Sequence, residues 1–118
     1  MSKIDDRTRL LHMLESCQKI VQYAQGETRQ SLEDDEKLCL ALVRLIEIIG
    51  EAASKVSPEK QAEIQQIPWR TIIGMRNRIV HAYFDIDYDI IWDTVTINIP
   101  KLKLAHNLPP NEVFEQKH

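Results

Sequence analysis

Apolar residues recur at intervals of three and four along most of this chain, the period of an α-helix with one buried face. In the first such segment, about Asp5 to Tyr23, Leu10, Leu14, Cys17 and Val21 form the stripe, and Met13 and Ile20 widen it. Ser2 or Asp5 suits its N-cap and Gly26 its end. Ser31-Leu32-Glu33-Asp34, a serine with an acid three residues on, resembles a capping signal and predicts a second helix over about Leu32 to Val56. That helix carries two apolar surfaces. Leu38, Leu42, Leu45, Ile49, Ala52 and Val56 make one, and Leu40, Ala41, Val43, Ile46 and Ile48 the other. Burial on two sides follows, either at the centre of a monomer or at a subunit interface. Gly50 in mid-helix costs about 1 kcal/mol relative to alanine, and close approach of another helix is the usual compensation.

Ser57-Pro58 is a cap followed by proline at the first helical position, and predicts a short helix over about Pro58 to Gln65. Pro68 restarts the chain in the same way for a third main helix, to about Tyr83. The last segment reads two ways. Val95, Ile97 and Ile99 alternate as in a strand, whereas Ile91, Val95, Ile99 and Leu102 fit a helix. A lone strand would have no partner, so a helix is expected, started by Asp85 or Asp87 and bent at Pro100. Pro109-Pro110 ends the structure. The expected fold is all-α, an up-and-down bundle of four main helices plus a short one, in a single domain over residues 1–110 with a tail at 111–118.

Composition agrees with a globular domain: 43% hydrophobic, 28% charged, and few glycines or prolines in 118 residues. Charges interrupt every apolar run, so no transmembrane helix is expected, and the acidic N-terminus lacks an apolar signal core; the expected location is cytoplasmic. Cys17 and Cys39 have no metal-ligand spacing with each other or with the four histidines, so neither a zinc site nor a disulfide is expected. Net charge is −3, which excludes a chain that is basic throughout. The charge is uneven, however. No acid lies between Glu63 and Asp85, where Arg70, Arg76, Arg78 and His81 all fall.

The third helix therefore holds the candidate chemistry. With Ile72 at zero and about 100 degrees per residue, Ile72, Ile79 and Tyr83 share a face, and Arg76 falls about 40 degrees away, within the apolar arc. An arginine there must snorkel, pair with an acid or border a cleft, because burying it unpaired is costly. A structural ion pair with Glu47 or Glu51 is the plain alternative. His81 lies about 140 degrees from Arg76 on a straight helix, so either the helix loosens before it or the two groups meet across a second subunit. Asn77 and His81, at i and i+4, share a face, and the amide could fix the imidazole tautomer.

Arg76-Asn77-Arg78-Ile79-Val80-His81-Ala82-Tyr83 matches the R-x4-H-x-Y signature of the HepT toxins, within the wider HEPN group. Ile67-Pro68-Trp69-Arg70 with Gly74-Met75 ahead of the motif, and Ile46 to Ala52 in the second helix, extend the resemblance over about Asp5 to Leu104. It implies a HEPN-like all-α homodimer whose two motifs meet in a cleft at the interface. It also implies the toxin of a type VII toxin–antitoxin pair, a metal-independent endoribonuclease without cofactor. Its partner would be an MntA-like nucleotidyltransferase antitoxin, which moves AMP from ATP to the motif tyrosine, Tyr83 here.

The residue types suit that chemistry. A histidine titrating near neutrality can take the proton of a 2′-hydroxyl, and an arginine can neutralise the phosphorane. His81 and Arg76 are the catalytic candidates, with Asn77 supporting and Arg70 and Arg78 guiding the RNA backbone. Two other classes fit less of the motif: a non-catalytic helical dimeric module that binds a partner protein or nucleotide, and a purely structural bundle with a buried Arg–Glu pair.

Overall fold

The computed structural model describes residues 5–80 and 86–106, apart from the side chains of residues 80 and 103–106. His81, Tyr83, the alternative cap Asp85, the Pro109-Pro110 stop and the tail at 111–118 lie outside the described residues. The elements in order are α1 (Asp6–Ala24), α2 (Arg29–Asp34), α3 (Glu36–Ser54), α4 (Pro58–Glu63), α5 (Trp69–Val80), α6 (Tyr88–Asp93), a π-helical turn (Thr94–Asn98) and α7 (Ile99–His106). All the regular elements among the described residues are helical, as expected. None of these helices is long and apolar enough to cross a membrane.

Asp5 caps α1, its carboxylate accepting from the Thr8 N–H at 2.9 Å. The buried line of α1 is Leu10, Met13, Cys17 and Ile20, while Leu14 is half-buried and Val21 is exposed. The stripe is thus rotated towards the residues expected only to widen it. Gly26, with φ +78, turns the chain after α1 in a conformation that L side chains rarely adopt.

The second predicted helix is divided. Thr28 caps α2, and Ser31 reciprocates from the third position, its Oγ accepting from the Thr28 N–H at 3.0 Å. Ser31 is therefore a partner in the cap rather than the cap itself. Asp35 leaves helical geometry (φ −126, ψ 93), closes α2 and caps α3 by accepting from the Leu38 N–H at 3.1 Å. Helix α3 is central: α1 packs on one side and α5 on the other. Leu42, Ile46, Ile49 and Ala53 are buried completely, whereas Ala41, Val43 and Ile48 of the second apolar surface stay half-buried. Leu40, 53% exposed, is left at the edge.

Ser57 caps α4 and also ties it to α1: its N–H and Oγ donate to the two Asp6 carboxylate oxygens at 2.9 and 2.6 Å. The Trp69 indole N–H donates to the carbonyls of Gln61 and Ile64 at 3.1 and 3.0 Å, fixing the turn from which α5 departs.

The last segment is helical. Ile91, Val95, Ile99 and Leu102 are all buried, and Ile97 is exposed. Asp87 caps α6, accepting from the N–H groups of Asp89 and Ile90. A π turn stands immediately before Pro100, where a bend is expected, and in it the Ile99 N–H reaches back five residues to the Thr94 carbonyl. Proline lacks an N–H and its ring crowds the carbonyl four residues back, and a wider turn relieves both.

Candidate active-site cleft

Helices α3 and α5 cross where Gly50 meets Arg76. A β-carbon added to Gly50 would lie 2.5 Å from Arg76 Cβ, 3.2 Å from Cδ and 3.3 Å from Cγ. The missing side chain is therefore filled by the arginine stem, which is the close approach that a mid-helix glycine predicts. The aliphatic part of Arg76 packs on the backbone of α3, and its guanidinium continues outward. Arg76 Nη2 reaches Glu51 Oε1 at 3.2 Å. Of the two acids expected as partners, Glu51 is the one engaged. The Arg76 side chain remains 36% exposed and that of Glu51 47%, so the pair is screened and worth at most about 1 kcal/mol.

The guanidinium opens into a cleft of about 500 Å³. Arg9 and His12 from α1 line one wall, Arg44, Glu47, Ile48, Glu51 and Ala52 from α3 form the floor, and Arg76 from α5 closes the other side. Arg44 sits 3.5 Å from Glu47. Three arginines face two glutamates, so the cleft is locally positive in a chain that is negative overall. Arg9 Nε is buried without a hydrogen-bond partner among the described residues. Leaving such a donor unsatisfied costs about 1–3 kcal/mol or more.

The other sequence candidates are placed differently. Asn77, Arg70 and Arg78 are exposed. Arg78 lines a separate, largely apolar groove of about 80 Å³ with Leu40, Val43, Ile79 and Ile90, and Glu47 is shared between that groove and the Arg76 cleft. Arg70 lines neither. Arg76 is thus joined by residues of α1 and α3 rather than by its neighbours on α5. Sequence reasoning missed Arg9, His12 and Arg44, because they stand in the acidic half of the chain and converge only through the packing of α1 on α3. The one available signal was the i, i+3 spacing of Arg9 and His12 beside the buried Leu10.

No group of three or more His, Cys, Asp or Glu residues with metal-binding proximity occurs among the described residues. Cys17 and Cys39 are both buried and form no disulfide. Burial, with a smaller contribution from Glu36, pushes the Cys39 thiol up, which disfavours the thiolate a nucleophile would need.

A helical bundle with an arginine seated at a helix crossing and opening into a positive cleft is an all-α domain of the HEPN-like type. The family model described as Ribonuclease HepT-like matches residues 13–107, and the chain belongs to this HepT-like ribonuclease family. It is 36% identical over 97 residues to the protein named "Putative RNase" from Caldanaerobacter subterraneus subsp. tengcongensis, covering 82% of this chain and 87% of the relative. It is also 36% identical over 94 residues to the "Probable ribonuclease HepT" of Thermococcus cleftensis, covering 76% of this chain and 86% of that one. A "Putative RNase" of Methanocaldococcus jannaschii is 31% identical over 103 residues, covering 87% of this chain and 94% of the relative. No solved structure matches the chain.

Proposed function

We propose that this chain is an RNA-cleaving toxin that acts through Arg76 and His81, as a homodimer, without a metal ion. The observation that supports this most directly is the seating of Arg76: Gly50 admits its stem, and its charged end stands in the positive cleft. In the proposed reaction His81 takes the proton of a 2′-hydroxyl. The freed oxygen forms a bond to the adjacent phosphorus, and the bond to the 5′-oxygen breaks. A protonated histidine returns a proton to that leaving oxygen, giving a 2′,3′-cyclic phosphate and a 5′-hydroxyl. Arg76 holds the non-bridging oxygens and neutralises the charge that grows on them. The offset of about 140 degrees that a straight helix would give the two residues favours a second histidine from the other subunit. Asn77 would orient the imidazole, and Arg70 and Arg78 would serve the outer path of the RNA.

The same reading makes the chain the toxin of a type VII pair in the cytoplasm, silenced when an MntA-like nucleotidyltransferase places AMP on Tyr83. A structural reading, in which Arg76 only ties α5 to α3, is favoured by the Glu51 contact. The half-exposure of both partners weighs against it, because such a pair adds little stability.

The test is cleavage of a labelled RNA in excess EDTA by the wild-type, Arg76→Ala and His81→Ala chains, with light scattering of each. Cleavage by the wild type alone, all three chains being dimers, is the expected result. Cleavage by His81→Ala, or a wild-type species of 13.8 kDa, would sink the mechanism.

A further inference from the structure

The cleft contains a charge that the mechanism above does not use. Arg44 and Arg76 each face a glutamate, at 3.5 and 3.2 Å, whereas the buried Nε of Arg9 has no hydrogen-bond partner among the described residues. Arg9 projects from α1 into the space that Arg76 enters from α5, with His12 one helical turn along the same face. Buried donors are almost always satisfied in folded proteins, and one left unsatisfied on a residue that lines a cleft marks a guanidinium that gains by turning towards an acceptor entering from solvent. The acceptor must be an anion, since the cleft is locally positive. It must also be planar-fork compatible, as carboxylate and phosphate oxygens are, because Nε and a terminal nitrogen of a guanidinium donate side by side.

We propose that Arg9, flanked by His12, is a phosphate subsite that binds the RNA phosphodiester next to the one held by Arg76. This assignment rests on the ribonuclease reading above. It routes the RNA across α1 and α3 rather than only along the exposed Arg70 and Arg78 of α5. Arg9 touches no reacting atom; it holds the chain in register so that the scissile phosphate falls at Arg76. The floor supports that path, since the half-buried Ile48 offers apolar surface in the cleft on which a sugar or base can lie.

The test uses a short fluorescent 2′-O-methyl RNA, which has no 2′-hydroxyl nucleophile and is bound without being cut. With the full wild-type chain, its Kd is measured over a series of salt concentrations. Arg9→Gln is expected to weaken binding by about 5–30-fold and to lower the slope of log K against log salt by about 0.7, the value for one phosphate contact on a single strand. Arg9→Lys is expected to keep the slope but not the full affinity, because the charge remains and the fork is lost. On cleavable RNA, Arg9→Gln is expected to raise KM more than it lowers kcat. A purely structural role would move the melting temperature and leave the salt slope unchanged. An unchanged slope and Kd in Arg9→Gln would overturn the subsite; if that variant does not fold, wild-type affinity in Arg9→Lys would do the same. Tight binding of the probe with no cleavage of ordinary RNA would defeat the catalytic reading and leave the subsite standing. Cleavage that is indifferent to Arg9 would defeat the subsite alone.

Discussion

Gly50 and Arg76 occupy one another's space: the position of a Gly50 β-carbon is 2.5 Å from Arg76 Cβ, too close for both to exist in the present packing. The opposing effects of Gly50→Ala can therefore be ranked. Alanine gains about 1 kcal/mol of helix propensity over glycine, but overpacking a tight helix crossing costs about 1–3 kcal/mol. The obstruction is a β-carbon attached to backbone, which cannot swing aside, so the clash should win. We expect Gly50→Ala to lower unfolding stability by about 1–2 kcal/mol in urea titrations and to reduce RNA cleavage by displacing Arg76. A stabilised variant of full activity would show that the crossing is loose.

Glu51 and Arg76 give a pair of contrasting outcomes. If the arginine serves the phosphate, Glu51 is its resting partner and competes with RNA for it. Glu51→Gln should change stability by less than about 1 kcal/mol and tighten RNA binding by about threefold to fivefold. Arg76→Ala should also remain folded, losing about 1 kcal/mol from the screened pair and the packed stem, while cleavage falls by about a hundredfold or more. Parallel measurements of Kd, cleavage rate and urea midpoint separate the two roles. A large stability loss in both variants, with proportionate loss of activity, would make the pair structural.

Most of this architecture was legible because it follows from local rules. The 3.6-residue spacing of Ile91, Val95, Ile99 and Leu102 outweighed the alternation around Ile97, and all four are buried in a helix. Ser57-Pro58 and Asp87 start helices where capping chemistry places them. Gly50 in an apolar run implied a close helix neighbour, and Arg76 fills that place. The failures have physical causes. Asp35 ends α2 and begins α3, and a carboxylate that caps the following helix looks in sequence like one more acid on a polar face. The core line of α1 is set by where α3 lies, so Met13 and Ile20 displaced Leu14 and Val21 from its centre. The cleft was half legible. Arg76 was marked by its place on an apolar arc, whereas Arg9 meets it only through tertiary packing.

Cys39 provides a pH prediction. Burial, then Glu36, raises its thiol above the ordinary value. The unfolded chain therefore ionises this group first as pH rises. The contribution of the neutral thiol to stability is intact below the unfolded pKa and is lost progressively as pH climbs through the folded one. Native protein at neutral pH should leave Cys39, only 2% exposed, unalkylated by iodoacetamide over a period in which urea-unfolded protein reacts fully. Peptide mass mapping gives the result, and rapid native labelling would mean that α3 opens locally near its start.

Tyr83 is the proposed point of control. It follows Arg76 by seven residues, which on an unbroken helix brings it within about 20 degrees of the same face. AMP on its hydroxyl would add a phosphodiester anion and a bulky adenosine, and from that face both would approach the proposed RNA cleft. The phosphate could compete for Arg76 through charge-assisted hydrogen bonds while the nucleoside blocks the path of RNA. The free hydroxyl has no step in the proposed cleavage. Tyr83→Phe should accordingly retain most of the ribonuclease activity yet resist silencing by an MntA-like antitoxin with ATP. Intact-mass spectrometry of the wild type after that incubation should show added AMP, mapping to the peptide that contains Tyr83. An adduct on another residue, or neutralisation with no adduct at all, would replace the switch with direct obstruction by the antitoxin.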